Sequence, residues 1–194
     1  MKSFVLVLML VAAVSAIAQP APTANDRLNA AGPEARSLAE RTGTWEVVAT
    51  FWPAPGAQPV VTQGLVAERR MVGSFLEERM MPGGDGPAFT RIDYLGFNRV
   101  EGRWQYVSLD TRLPVGIMPA TSFDRGDPDR LSLVFEPLAF AGFGDTVEGR
   151  MMRADLTISR EGPDREVKEQ RFVFASGDGT PWRAVRYEYR RRRQ

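Results

Sequence analysis

Hydrophobic and polar residues alternate with a period of two over most of the chain after Gly43. Such alternation is typical of β-strands that turn one face toward a core and the other toward solvent. It predicts ten strands, at residues 44–52, 60–70, 74–81, 89–97, 103–110, 117–123, 130–136, 151–160, 166–175 and 182–190. This part of the chain has no comparable helical periodicity, so the pattern indicates an all-β domain.

Short segments rich in Gly, Pro, Asp and Asn separate the predicted strands. Such segments are typical of tight turns, and strands joined by tight turns pair antiparallel. Closure of about ten such strands into an up-and-down barrel removes the exposed edges of the sheet, and a two-sheet sandwich is the alternative. The longest connection, residues 137–149, is interpreted either as a flap over the barrel mouth or as a loop packed outside the barrel.

A short helix is predicted directly before the first strand. Pro33 suits the first helical turn, Glu34 suits the positive end of the helix dipole, and Arg41 suits the negative end. Gly43 ends the helix. The sequence therefore predicts an antiparallel up-and-down β-barrel of about 8–10 strands with one short N-terminal helix.

The first 18 residues have the features of a secretory signal peptide. Lys2 supplies a positive charge, an uncharged apolar run follows, and Ala16 and Ala18 form a small-residue cleavage site. The apolar run is shorter than the ~20 residues that a transmembrane helix needs. We therefore expect cleavage after Ala18, a periplasmic or secreted location, and no integral membrane segment in the cleaved protein.

The composition of the chain predicts four segments. Residues 1–18 are the signal peptide, residues 19–32 are a flexible lead, residues 33–190 form the barrel domain, and residues 191–194 form a basic tail. The run from Arg190 to Arg193 suggests weak contact with acidic groups of the cell envelope, and a solvated chain end is the alternative.

The composition also excludes several kinds of chemistry. The chain contains no Cys and no His, which excludes disulfides, Ser-His-Asp and Cys-His catalysis, and the usual His-ligated metal and haem sites. The formal charge is +1, and loss of residues 1–18 makes the chain neutral, so long-range attraction to nucleic acid is not expected. No metal, cofactor or catalytic residue is predicted.

The start of the predicted barrel resembles the opening of lipocalin-type (calycin) folds. The residues that carry this resemblance are Gly43-Thr44-Trp45, which follow the short helix directly. In those folds the helix closes one end of the barrel, and an Arg of the last strand lies across the Trp ring. The resemblance implies the same stacking here, with Arg183 or Arg186 as the cation.

Residues 43–112 are similar to a bacterial family described as domain of unknown function fifteen-seventy-nine. The segments that carry this similarity are residues 43–45 (GTW), 70–78 (RMVGSFLEE), 93–98 (DYLGFN) and 104–110 (WQYVSLD). The chain departs from the family pattern at residues 97–98, where Tyr-Asp is expected, and at residues 108–110, where Trp-x-Asp is expected. The similarity implies a lipocalin-like barrel and implies no activity.

Two of the predicted strands have an inner face that suits a small-molecule pocket. In residues 103–110, Trp104, Tyr106 and Asp110 share one face. In residues 89–97, Arg91 and Asp93 lie two residues apart on an otherwise apolar face, where they can pair. The predicted ligand-binding residues are Trp104, Tyr106, Asp110, Arg91 and Asp93. The alternative is an ordinary core strand beside an ion pair on the outer face.

The sequence supports three hypotheses of function. The first is an exported module that binds a small apolar or aromatic molecule inside the barrel. The second is a hydrolase or isomerase, which requires Asp93, Asp110 and Glu136 to converge in the lumen. The third is an interaction or structural role at the cell envelope. Arg171, which shares a predicted strand face with Glu169, is a further candidate for an ion pair inside the barrel.

Overall fold

A computed structural model describes residues 21–140, 149–176 and 179–193. The chain divides into two compact units, Met1–Ala30 and Ala31–Gln194. The described part of the first unit contains helix α1 (Ala24–Asn29), which lies in the segment where composition predicts a flexible lead. Thr23 and Asp26 form a capping box at its start, with each side chain accepting a hydrogen bond from the other residue's amide.

The described part of the second unit contains one helix and eleven strands. The helix is α2 (Pro33–Ala39), and the strands are β1 (Gly43–Phe51), β2 (Val60–Val72), β3 (Phe75–Pro82), β4 (Arg91–Asn98), β5 (Arg103–Asp110), β6 (Ile117–Thr121), β7 (Arg130–Phe135), β8 (Leu138–Phe140), β9 (Arg150–Gly162), β10 (Arg165–Phe174) and β11 (Trp182–Arg191). Ten of these strands coincide with the predicted ones to within about two residues at each end. β8 was not predicted and lies in the connection of residues 137–149.

The sheet closes on itself as an antiparallel barrel. Strands β1 to β7 pair in chain order, β7 pairs with β9, and the pairs β9–β10, β10–β11 and β11–β1 complete the circle. Ten strands therefore form the wall, and β8 pairs with the start of β9. The predicted barrel is confirmed, and the sandwich alternative is wrong because no edge separates two sheets among the ten wall strands.

Helix α2 closes one end of the barrel. It lies against β2, β3 and β4, and its Leu38 is completely buried in the same apolar cluster as Leu76, Phe97 and Trp104. The start of β1 and the end of β11 lie at this closed end, because Trp45 pairs with the last residues of β11. The opposite end, which we call the open end, holds the end of β1 and the starts of β2 and β4.

The described residues contain no helix long and apolar enough to cross a membrane.

Candidate functional site

Seven ionisable side chains inside the barrel form a continuous series of alternating charge, which we call the ion chain. From the closed end to the open end its members are Arg41, Glu166, Arg69, Glu78, Lys168, Asp93 and Arg91. The successive nitrogen–oxygen distances are 2.8, 2.8, 2.6, 2.9, 3.2 and 3.0 Å. No member has more than 6% of its side chain exposed. Such deeply buried charges persist only when each has an opposite partner.

At the closed end, the ion chain joins α2 to the barrel. Arg41 follows α2 and donates hydrogen bonds to Glu166 of β10 at 2.8 Å and to the carbonyl of Pro128 at 2.5 Å. Arg69 donates to the other oxygen of Glu166 at 2.8 Å. The Nε of Arg41 and the Nη1 of Arg69 are buried without a hydrogen-bond partner among the residues that the structure describes. The closed end therefore has more buried donors than acceptors.

Trp45 of β1 packs against this closed end. The Trp45 indole donates to the Arg41 carbonyl at 3.0 Å, and its ring contacts two guanidinium groups. Those of Arg69 and Arg191 lie 4.7 and 4.4 Å from the ring centroid. An Arg of the last strand therefore stacks on Trp45, as in lipocalin-type folds, and it is Arg191.

The prediction that Arg183 or Arg186 stacks on Trp45 is wrong. The antiparallel register of β1 and β11 pairs Trp45 with Arg191, so the Arg residues near the start of β11 lie toward the opposite end of the barrel. Arg183 lies over Trp52, 5.5 Å from its ring, and Arg186 pairs with Glu188 on the outer face.

At the open end, the ion chain finishes on two phenol groups. The Nε of Arg91 donates to Asp93 at 3.0 Å, its Nη2 donates to the hydroxyl of Tyr106 at 3.0 Å, and its Nη1 donates to the hydroxyl of Tyr187 at 2.5 Å. Asp93 also accepts a hydrogen bond from Ser108 at 2.6 Å. The last cation of the chain thus has one anionic partner and two neutral ones.

The surroundings of Asp93 keep its carboxyl group ionised. Burial alone would raise the pKa of Asp93, but the positive charges of Arg91 and Lys168, together with the hydrogen bond from Ser108, hold it well below its usual value. A carboxylate with such a low pKa is a poor general base near neutral pH. This low pKa does not favour the general-base role that the hydrolase or isomerase hypothesis would give to Asp93.

The buried phenols have the opposite tendency. Burial raises the pKa of Tyr106, and the negative charge of Asp93 raises it further. Burial and the charge of Glu78 likewise raise the pKa of Tyr189, whose hydroxyl donates to Glu78 at 2.9 Å. These hydroxyls therefore stay protonated and act as neutral hydrogen-bonding groups at neutral pH.

The five predicted site residues are divided between the two ends of the barrel. Arg91, Asp93 and Tyr106 meet in one buried group. Trp104 lies at the closed end, where its indole donates to the Arg125 carbonyl at 2.7 Å. Asp110 ends β5 at the open end, opposite Arg91 in the register. Trp104 and Asp110 share a face but are six residues apart, which is about 20 Å along a strand.

Asp110 is held by its own partner at the rim of the barrel. Arg112 donates to its two carboxylate oxygens at 2.9 and 2.6 Å. Burial raises the pKa of Asp110, but the hydrogen bonds from Arg112 outweigh this and lower it. Glu136 is exposed, so Asp93, Asp110 and Glu136 do not converge in the lumen as the enzyme hypothesis requires.

The interpretation of Arg171 as a lumen residue is also wrong. Its side chain is 61% exposed and pairs with Glu169 on the outer face. The inner face of β10 is formed instead by the alternate residues Glu166, Lys168 and Gln170. None of these three polar residues was predicted to lie in the lumen. Their alternation with the exposed residues of β10 is the signal that could have identified them.

Three arginines lie over aromatic rings at the open end, and we call these pairs the basic aromatic rim. Arg112 lies over Phe89 at 3.9 Å, Arg150 lies over Phe174 at 3.8 Å, and Arg183 lies over Trp52 at 5.5 Å from the ring centroid. All three rings are close to the strand ends that surround the open end. The rim therefore combines apolar surface with positive charge.

A cleft of about 500 Å³ lies near the closed end. It is lined by Gly43, Thr44, Glu68, Arg69, Arg70, Glu77 and Arg79. Arg70 donates to Glu77 at 2.8 Å, and Tyr94 donates to the same carboxylate at 2.7 Å. Arg70 and Glu77 neutralise each other, and Glu68 lies opposite Arg79 in the register of β2 and β3.

One comparison with a solved structure agrees with the barrel. The crystal structure of Rv2717c from M. tuberculosis has a TM-score of 0.52 and 15% identity, and the match covers 84% of this chain and 99% of that one. The structure of EF1p2_mFAP2b bound to DFHBI has a TM-score of 0.37 and 12% identity, with 82% and 99% covered. Comparison with curated proteins gave no significant match. The model of the family described as "Protein of unknown function (DUF1579)" matches residues 30–191, and the chain belongs to this family.

Proposed function

We propose that the protein binds a small molecule, apolar or aromatic over most of its surface, in the open half of the barrel. Arg91, Asp93 and Tyr106 form the polar floor of this site, and Asp110 lies at its rim. Trp104, at the closed end, supports the core rather than the ligand.

The observation that carries this proposal is the polar group around Arg91 among apolar side chains. Met118, Phe135 and Phe172 are buried in the apolar cluster to which Tyr106 also belongs. A mainly apolar wall with a few fixed polar groups is typical of small-molecule sites. The width of the barrel also supports the proposal. An eight-stranded barrel can be filled by its side chains or hold one small ligand, and diameter grows with strand number.

We also propose that the protein acts in the periplasm or outside the cell. The features of residues 1–18 support this location, because a charged start, an apolar run and a small-residue cleavage site are recognised together by the export machinery. Expression of the full chain in a bacterium, followed by mass spectrometry of the periplasmic fraction, would detect a mature N-terminus at Gln19.

The proposed site predicts that filling the lumen abolishes binding. Met118 is buried on the inner face of β6, whereas the adjacent Ile117 is 64% exposed on the outer face. We expect Met118→Trp to remove the increase in melting temperature that fatty or aromatic ligands produce in the cleaved protein, and Ile117→Trp to retain it. Overpacking reduces the free energy of unfolding by about 1–3 kcal/mol. Circular dichroism would therefore be used to verify that both variants are folded.

Equal ligand-induced shifts in the two folded variants would exclude the lumen as the binding site. Absence of any shift in the unsubstituted protein, together with no small molecule released on denaturation, would contradict the binding function itself.

A further inference from the structure

Strands β4, β5 and β6 turn a group of apolar side chains toward the outside of the barrel. The registers of these three strands place six outward residues in two adjacent rows, and none of the six is charged. We call this surface the uncharged face. Its rows, each read from β4 to β6, are Ile92–Leu109–Ile117 and Tyr94–Val107–Pro119.

The uncharged face is exposed and extends toward the closed end. Ile117 and Leu109 are 64% and 36% exposed. Beyond Tyr94, Phe75 lies against Gly96, where a Cβ atom would come within 2.3 Å of the Phe75 ring, and Phe75 is itself 43% exposed. An antiparallel sheet usually turns polar side chains toward water. A connected apolar surface in that place is typical of an interaction site.

The wall formed by β10 and β11 has the opposite character. Its outward Glu169 pairs with three arginines, Arg171, Arg183 and Arg186, at 3.3, 2.9 and 3.5 Å. These residues occupy the same kind of outward strand position as those of the uncharged face. The lack of charge is therefore a property of β4, β5 and β6 and not of the whole exterior.

Charge favours a second copy of this chain as the partner of the uncharged face. A two-fold symmetric dimer places the same surface of each copy against itself, so a charge near the axis would meet its own like charge. The uncharged face avoids this repulsion. The chain without residues 1–18 is also formally neutral, so two copies do not repel each other at long range. A strongly charged partner would find no opposite charge among the six residues.

We infer that the uncharged face binds a second copy of this chain in a two-fold symmetric dimer, with Val107 of the middle strand near the axis. This inference does not depend on ligand binding in the lumen. Stable interfaces bury about 800 Å² on each partner, and three strands about 4.8 Å apart supply only the centre of such an area. Flanking residues such as Phe75 and Arg103 complete the interface, and we expect a weak dimer with a dissociation constant in roughly the micromolar range.

Sedimentation velocity of the cleaved protein, from about 1 μM to about 1 mM, tests this inference. We expect Val107→Arg to raise the dissociation constant roughly 100-fold or more, because it places two like charges together at the axis. The matched control is Val48→Arg. Val48 is half-buried and lies opposite Glu188 in the register of β1 and β11, so the new arginine gains a partner there. This control should dimerise like the unsubstituted protein.

A pair of opposite charges tests the two-fold arrangement itself. Val107→Glu should also be monomeric when it is alone. An equal mixture of Val107→Glu and Val107→Arg should dimerise again, because opposite charges then meet across the axis. Circular dichroism would verify that each variant is folded. If a Val107 variant does not fold, Ile117→Arg, at a side chain that is 64% exposed, should still weaken the dimer roughly tenfold or more.

Several outcomes would overturn the inference. The first is a protein that stays monomeric at every concentration. A dimer that Val107→Arg and Ile117→Arg both leave unchanged would overturn the assignment to the uncharged face. Two Val107 variants that remain monomeric when mixed would overturn the position of the axis. Vesicles of phosphatidylethanolamine and phosphatidylglycerol that co-sediment with a monomeric protein, but not with Val107→Arg, would assign the face to a lipid surface instead.

Discussion

Glu166 shows how one buried carboxylate can neutralise neighbouring cations inside the barrel. Its two oxygens each accept a hydrogen bond at 2.8 Å, one from Arg41 and one from Arg69. Burial raises the pKa of Glu166, but these two arginines lower it further than burial raises it. An intact buried pair adds little net stability, whereas removal of one partner leaves an uncompensated charge.

Glu166→Gln is therefore expected to reduce the free energy of unfolding by about 3–5 kcal/mol, since it leaves two buried arginines without their shared anion. The matched control is Glu46→Gln, because the Glu46 carboxylate is 63% exposed and pairs with Arg192 at 3.2 Å. That substitution should reduce the free energy of unfolding by about 0–1 kcal/mol. Urea unfolding followed by tryptophan fluorescence measures both, and equal losses would mean that the ion chain does not act as described.

At this scale the sequence predicts which residues can pair along one strand but not which residues meet across the barrel. Arg91 and Asp93 were identified because they are two residues apart on one face. Arg41 and Glu166 are 125 residues apart in the chain, and only barrel closure brings them together. The pairing of Arg41 with Glu166 therefore could not be predicted from the local sequence pattern.

At the scale of elements, the short helix α2 closes one end of the barrel. It has seven residues, begins with Pro33 after Gly32, and leads directly to Arg41 at the end of the ion chain. A helix this short is not stable alone, so its packing against the barrel must hold it in place. Leu38 contributes to this packing, because it is completely buried in the apolar cluster.

Leu38→Ala should reduce the free energy of unfolding by about 2–5 kcal/mol, through lost apolar burial and the cavity left behind. Leu113→Ala is a suitable control, since Leu113 lies in a turn and is 37% exposed. We expect the control to change stability by about 0.5 kcal/mol or less. A midpoint of urea unfolding that is unchanged in Leu38→Ala would contradict the role given to α2.

Strand positions were predictable because alternation and turn residues are local signals. The two unpredicted elements are both short. β8 has three residues and depends on pairing with β9, for instance Leu138 with Met152. α1 has six residues and depends on the cap formed by Thr23 and Asp26, which composition alone did not indicate. Both lack the length over which a period becomes visible.

For the molecule as a whole, the buried groups predict a stability maximum between the acid and alkaline ranges. The pKa of Asp93 and that of Glu166 are lowered in the folded state, so their contribution is present above the unfolded value of about 4 and is lost as pH falls further. The pKa of Tyr106 and that of Tyr189 are raised, so their contribution is present below about 10 and is lost as pH rises further.

The free energy of unfolding, measured by urea titration from pH 3 to pH 11, should therefore fall at both extremes. Glu166→Gln should flatten the acid side, and Tyr106→Phe should flatten the alkaline side, because each removes a group that titrates differently in the two states. A profile whose acid side is as steep in Glu166→Gln as in the unsubstituted protein would show that Glu166 does not contribute to the acid transition.

The order of strands around the barrel also constrains how the polypeptide acquires its shape. The first strand is hydrogen-bonded on one side to the last, with Trp45 opposite Arg191 and Phe51 opposite Val185. A ribosome or a translocation channel releases the amino end first, so β1 must wait unpaired on that side until nearly the whole polypeptide has emerged. The cylinder can thus close only after synthesis. A prematurely terminated chain that lacks β11 would expose two unpaired strand edges, which could pair with other protein molecules.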